Sequence, residues 1–319
     1  AIGGQSVSST QYSVAIGLNA AASGAGGAVA IGASAVSNNV NTVALGVNAN
    51  ATGAGASALG TASTATGGNS TAVGVNSVAG ANFAFAGGYL SQATGLRTVA
   101  VGNQAEATSD AATSVGNTAR ALGNSSLALG AQALAIGDST VAVGQGAGAG
   151  STIANTGSVA VGIAAGTLVS GALNTALGGG IASVMRGAGS GVTGARNVAF
   201  GTGDGKVAYD ATLAASAGSL VSGNDNVAIG TNAGIGVAGN ATTSIGLNAN
   251  ASANNAIALG SQATASAANT LAQGTGSNAG NLNAIAIGFQ AIATKINSIN
   301  LGARTAPGAG ALGESAIAI

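Results

Sequence analysis

Asn41-Thr42-Val43-Ala44-Leu45-Gly46-Val47-Asn48-Ala49-Asn50-Ala51-Thr52-Gly53-Ala54 is one turn of a repeat. Its tetrad is an apolar residue, Ala, an apolar residue and Gly. The Gly recurs at every fourteenth position: Gly32, Gly46, Gly60, Gly74, Gly88, Gly102, Gly116, Gly130 and Gly144. A fixed period held this long is the signature of a solenoid and takes precedence over any residue-by-residue reading.

With the tetrad Gly as position zero, −3 and −1 are mostly large and apolar, as in Val43/Leu45, Val99/Val101, Leu127/Leu129, Val141/Val143, Ile257/Leu259 and Ile285/Ile287. Position −2 is nearly always Ala. Side chains alternate faces along a strand, so this first strand is apolar on both faces and predicts burial of both. The Gly turns the chain. Position +2 is often Asn or Gln (Asn48, Asn76, Gln104, Gln132, Asn248, Gln262, Gln290), a column expected to stack into an amide ladder between coils. Positions +3 and +5 are small, as in Ala49/Ala51 and Ala105/Ala107. Position +4 varies freely: Asn50, Thr64, Val78, Gln92, Glu106, Arg120, Leu134. That pattern is a second strand with a small inward face and a solvated outward one. Two short strands and two turns fill each period, so the expected fold is all-β, a parallel β-roll or β-solenoid with two faces and a thin alanine core.

An alanine core buries little apolar area, whereas each Val, Ile or Leu at −3 or −1 gains roughly 1.5–3 kcal/mol when covered. Left uncovered, these columns form one apolar stripe of a kind that soluble monomers do not carry. The simplest cover is the same stripe on identical chains. Homo-oligomerisation follows, with Val43, Leu45, Val99, Val101, Leu127, Leu129, Val141, Val143, Ile257, Leu259, Ile285 and Ile287 in the interface.

These residues resemble the YadA-like head repeats of the trimeric autotransporter adhesins of Gram-negative bacteria. That repeat reads approximately Asn-Ser-Val-Ala-Ile-Gly followed by small residues. Here it stands as Asn41-Thr42-Val43-Ala44-Leu45-Gly46, Asn69-Ser70-Thr71-Ala72-Val73-Gly74, Asp225-Asn226-Val227-Ala228-Ile229-Gly230 and Asn297-Ser298-Ile299-Asn300-Leu301-Gly302. The resemblance implies a left-handed roll and a homotrimer. It implies an adhesive head displayed outside the cell, with host extracellular matrix or an abiotic surface as partner. It also implies an anchor in the bacterial outer membrane, supplied by a part of the chain outside this segment.

Taken in order, the chain reads as one repeat array: regular coils over 1–144, coils with longer loops over 145–229, and regular coils again over 230–319. Residues 1–32 hold one extra residue near Gly24–Gly27. Leu134-Ala135-Ile136-Gly137 repeats the tetrad half a period early and reads as a second strand mimicking the first. From Gly144 the spacing loosens to Gly162, Gly178, Gly201 and Gly230, and the strict period returns after Gly246. The longest insertions are expected at 179–196 and 202–225, with a further short one around Pro307. Both ends cut through a repeat, which predicts a piece of a longer fibre.

Charged residues are 4% and aromatics 2% of the chain and the net charge is zero, so nothing attracts nucleic acid or an anionic membrane at long range. The chain has no apolar run of membrane-spanning length. With no His and no Cys, the composition excludes thiol nucleophiles, His-based triads and His/Cys metal sites. No cofactor or metal is expected, and no enzymatic activity. Asp204, Asp210 and Asp225 match no calcium-loop spacing. Gly144–Gly150 looks like a phosphate loop but lacks the following helix and Lys, and reads as a turn. Function concentrates on loops held by rigid scaffolds, so the candidate ligand-binding residues are Met185, Arg186, Arg196, Lys206, Tyr209 and Asp210, with the regular coils as a broad adhesive surface. Two other classes compete. An ice-binding solenoid needs a regular Thr face that the +4 column lacks. A tailspike-type fibre enzyme needs paired carboxylates that the scattered acids do not supply.

Overall fold

The computed structural model describes residues 1–181, 183–304, 306 and 309–319; Pro307 lies outside them. All regular structure among them is β, in short parallel strands. The chain divides into two compact units, Ala1–Thr140 and Val141–Ile319.

In the first unit each coil carries a three-residue strand ending just before the tetrad Gly, such as Val43–Leu45, and a two-residue strand such as Asn50–Ala51. Each kind pairs only with its own kind. Val43, Ala44 and Leu45 lie against Ser57, Ala58 and Leu59 of the next coil, while Asn50 and Ala51 lie against Thr64 and Ala65. Like residues therefore stack into columns. Leu134–Ala135 is a short strand paired with Arg120–Ala121, so the early Gly137 ends a second strand, as read from the sequence.

The inward columns are alanine: Ala44, Ala49, Ala51, Ala58, Ala100, Ala105 and Ala107 are fully buried. Serine substitutes where its hydroxyl finds a carbonyl, as Ser63 does on Gly60 at 2.8 Å. Coils approach so closely at the tetrad Gly that a Cβ on Gly74, itself at φ +124°, would stand 2.6 Å from the Gly88 carbonyl oxygen. No other residue fits both the dihedral and the space.

Two further positions per coil hold left-handed backbone, +2 (Asn48, φ 58°) and −5 (Asn41, φ 54°). Asn tolerates that region better than most residues, which explains its enrichment at both. Of the amide ladder expected at +2, one link forms among the described residues, Asn232 to Asn248 at 3.0 Å, and the longer ladder lies at −5. There Asn255, Asn269, Asn283 and Asn297 pass amide-to-carbonyl bonds of 2.9–3.2 Å from coil to coil. At −6, Asn or Asp caps the turn of the preceding coil: Asp110 accepts from the Leu96 N–H at 2.9 Å and Asp138 from the Asn124 N–H at 2.8 Å.

The second unit keeps the long strand throughout but changes the return leg. The intervals from Gly162 to Gly178 and from Gly230 to Gly246 are equal, and each is two positions longer than the strict period. Within them the short strand gives way to turns built on Ala165-Gly166-Thr167-Leu168-Val169 and Ala233-Gly234-Ile235-Gly236-Val237. Ala188-Gly189-Ser190-Gly191-Val192 and Ala217-Gly218-Ser219-Leu220-Val221 are the same element. Gly166 donates to the Ala188 carbonyl, Gly189 to Ala217 and Gly218 to Ala233, each at 2.9 Å. Val169, Val192, Val221 and Val237 stack as their own buried cluster. Much of the expected insertions at 179–196 and 202–225 is thus ordinary coil. The intervals that end at Gly201 and Gly230 exceed this longer coil by only seven and thirteen positions. What leaves the stack, among the described residues, is 180–181, 183–186 and 202–214. Gly144–Gly150 forms turns, as expected. Two-strand coils resume with Asn250–Ala251.

In the three coils that end at Gly178, Gly201 and Gly230, position −4 is asparagine and forms a buried ladder. Asn174 accepts the Asn197 N–H and Asn197 the Asn226 N–H, both at 2.9 Å. The Asn174 amide donates to the Gly171 and Gly194 carbonyls and the Asn197 amide to the Gly223 carbonyl.

The alanine interior gives a direct test. Ala105→Leu places an isobutyl group where no space exists and should cost roughly 1–3 kcal/mol or more per chain. Glu106→Leu, at the next position and facing outward, should change little. Thermal melting of both variants checks this, and the reverse order would invert the facing of the second strand.

Candidate functional site

Two surfaces could carry function: a local protrusion from the second unit and the outward columns of the coils.

The protrusion is built from 180–181, 183–186 and 202–214 packed on one another. Ile181 and Met185 exchange backbone hydrogen bonds at 2.9 and 2.8 Å. Arg186 N–H donates to the Ala214 carbonyl and Ala214 N–H to the Val184 carbonyl, both at 2.9 Å, and Ala215 N–H reaches the Val207 carbonyl at 2.7 Å. Met185 is buried beneath this knob, its sulfur close over Gly203. The Arg186 guanidinium carbon stands 5.3 Å from the Tyr209 ring centroid, a cation–π geometry. The Arg186 Nε is sealed from solvent without a hydrogen-bond partner among the described residues. The Tyr209 hydroxyl lies over Gly191, where a Cβ would come within 2.5 Å, and burial pushes the phenol pKa up.

Asp210 closes the tip. It accepts from the Thr212 N–H at 2.8 Å, the Thr212 hydroxyl at 2.9 Å and the Leu213 N–H at 2.9 Å, which hold its carboxyl below the usual range. Asp204 ties the base to the roll through the Asn232 amide at 2.7 Å and is lowered chiefly by that bond.

Of the six candidate residues, the structure brings together Met185, Arg186 and Tyr209, with Asp210 at the tip of the same excursion. Lys206 is solvated, with its ammonium 3.8 Å from Asp204. Arg196 belongs elsewhere. It sits at column −5, on the turn that precedes a long strand, in a two-point pair with Asp225 at 2.6 and 2.9 Å. That bond lowers the Asp225 carboxyl and raises Arg196. Both partners are half exposed, where such pairs add little stability. Sequence reasoning missed Ile181 and Val184, 58% and 53% exposed on the knob. Their signal was two large apolar residues in a stretch with no tetrad.

The outward columns are the second surface. Leu45 is 47% and Phe200 50% exposed, and the other −3/−1 residues expected in an interface are half-buried or exposed. The sequence reading stopped the apolar stripe at −1. It continues round the turn at +1 through Val47, Val75, Tyr89, Ile163, Leu247 and Phe289, all exposed. On the other strand, +4 side chains meet across coils, as Arg120 does with Glu106 at 2.6 Å. Among the described residues no group of three or more His, Cys, Asp or Glu side chains gathers where a metal could sit, and no helix is long and apolar enough to cross a membrane.

The knob's dependence on ionised carboxylates sets its response to acid. Asp204 and Asp210 titrate below the ordinary value of 3.8 in the folded chain. Their contribution is complete above that value and is lost as pH falls through the depressed one. Hydrogen exchange should therefore show 202–214 loosening below about pH 4 while the coils, poor in titratable groups, stay protected. Uniform loosening of knob and coils would contradict this.

No curated protein matches the chain. The family model described as the YadA head domain repeat does. It matches in overlapping two-coil windows from 1–20 to 65–91, then at 93–119 and 121–147, and again from 238–263 to 279–305. The unmatched stretch between 147 and 238 is where turns replace the short strand and the knob emerges. With well over half its residues inside these windows and a parallel β-solenoid as its fold, the chain belongs to the YadA head domain repeat family.

Proposed function

We propose that the chain is the adhesive head of a bacterial cell-surface trimeric autotransporter adhesin, non-catalytic, with three copies packed through their −3/−1 columns. In this reading it is displayed outside the cell, anchored in the outer membrane by another part of the protein. It holds on to extracellular-matrix proteins or abiotic surfaces. The observation that carries the reading is the uncovered apolar stripe on coils whose own interior is alanine. Such coils are stable only when copies cover the stripe.

Two kinds of contact divide the work. The regular coils supply a long, nearly uncharged surface of small polar groups, suited to many weak contacts multiplied over three copies. The knob supplies the specific contact. Arg and Tyr are the residue types that dominate binding hot spots, and Arg186 and Tyr209 stand together there beside exposed Ile181 and Val184. Arg196, on the turn before a long strand, is outside this contact.

The test compares the intact chain with a variant in which 180–186 and 202–214 are each replaced by a short turn. Both are applied to collagen, fibronectin and bare polystyrene. The variant should lose most retention on whichever protein-coated surface the intact chain binds, and keep its weaker hold on polystyrene. Unchanged retention on protein would move the specific site to the coils, and no retention of the intact chain on any surface would overturn the adhesive reading.

A further inference from the structure

The repetition that builds the roll creates a problem for its assembly. Along either unit the outward −1 column nearly reproduces itself at each coil. Two copies displaced by one coil, about 4.8 Å, would meet almost the same side chains, so a generic apolar column does not define one axial register.

Two coils break this column, one in each unit. From Gly17 to Gly302, every residue at −1 of a tetrad is large and apolar except Gly87 and Gln273. Phe85-Ala86-Gly87 moves the bulk of its coil from −1 to −3. A Cβ on Gly87 would stand 3.0 Å from the Phe85 ring and 3.8 Å from a Val101 methyl, so the ring lies across the notch that Gly87 leaves. Phe85 and Gly87 pair with Thr71 and Val73 on one side and with Val99 and Val101 on the other. Gln273, exposed on the outer face, pairs with Leu259 and Ile287.

We propose that Phe85 with Gly87, and Gln273, are register keys that make the apolar face selective for copies of this same chain at zero axial displacement. The proposal rests on the reading that such copies cover the face. At zero displacement the Phe85 rings share one level with their own notches. Displaced by one coil, each ring, seated over its own notch, is pressed against the full-sized Val99/Val101 level of another copy, an overpacked contact. At zero displacement the Gln273 amides meet, and each carries both donors and acceptors for the others. Displaced, each amide is buried against Leu259 or Ile287 without a partner, the costly way to bury a polar group. Single polar residues in apolar helical seams fix register in the same manner.

The experiment places orthogonal spin labels on different chains, which have no native cysteine. One chain carries a nitroxide at Asn50→Cys, another a gadolinium tag at Leu134→Cys, and both are co-folded with excess unlabelled chain. The two positions are six coils apart in the first unit, about 29 Å of rise. A second pair, Asn250→Cys and Ile292→Cys, reports on the second unit. Each background change copies a neighbouring coil: Phe85→Val with Gly87→Val gives the sequence of 99–101, and Gln273→Leu repeats Leu259. The unaltered chain should give one narrow inter-chain distance for each pair. The filled first-unit key should convert the first distance into a series of peaks up to about 5 Å apart, and Gln273→Leu should do the same for the second. Because the Gln273→Leu arm stands alone, misfolding of the double variant leaves it decisive. A single unchanged distance in the filled chain, or several in the unaltered one, overturns the keys. No inter-chain distance at all means that copies do not cover the face, and the homo-oligomer reading fails with them.

Discussion

Ala44, Ala58 and Ala72 stack one above another in register, and Ala49, Ala51 and Ala65 line the same interior, all at zero exposure. Methyl groups set the thickness of the roll. Much else follows from that constraint. A methyl-thin interior admits no large side chain, so the Val, Ile and Leu of the long strands must face outward. The parallel ladder separately brings successive coils so close that Gly is required where they touch. The thin interior also leaves most cohesion to coil-to-coil hydrogen bonds, which the parallel columns supply at every level.

The second unit shows how the constraint is met when the short strand is missing. The turns of the return leg still bond coil to coil, as Gly166 does to Ala188 and Gly189 to Ala217. Asn174, Asn197 and Asn226 add a buried side-chain ladder at −4, and Val169, Val192, Val221 and Val237 fill the wider space on the return leg. With the stack preserved, 180–181, 183–186 and 202–214 can leave it and return without disturbing the strands. The fold therefore tolerates the knob, and the knob is where Arg and Tyr meet.

The sequence was legible where side-chain alternation and a strict period act together. The facing of Ala100, Ala105 and Glu106, the role of Gly137 as the end of a second strand, and the turn at Gly144–Gly150 could all be read from spacing. Two features could not. Asn fills both +2 and −5 because both are left-handed, and composition does not say at which turn the amides align along the stack; −5 does so over four successive coils, +2 between Asn232 and Asn248. In the middle, the long intervals ending at Gly201 and Gly230 looked like insertions because Ala188–Val192 and Ala217–Val221 carry no tetrad. They are recognisable only once Ala165–Val169 is seen to be a return leg. At the site, Arg196 was grouped with Arg186 by nearness in sequence, although the intervening return leg carries it to a different turn. The matched family windows agree with this division, ending at 147 and resuming at 238.

If the alanine interior is too thin to sustain the roll alone, the chain has no folded single-copy state. Sedimentation equilibrium over a dilution series, with circular dichroism on the same samples, tests this most directly. The account predicts a mass of about three times 28.8 kDa at every dilution that retains β-structure, with mass and structure lost together. A folded, monodisperse species of 28.8 kDa would contradict it.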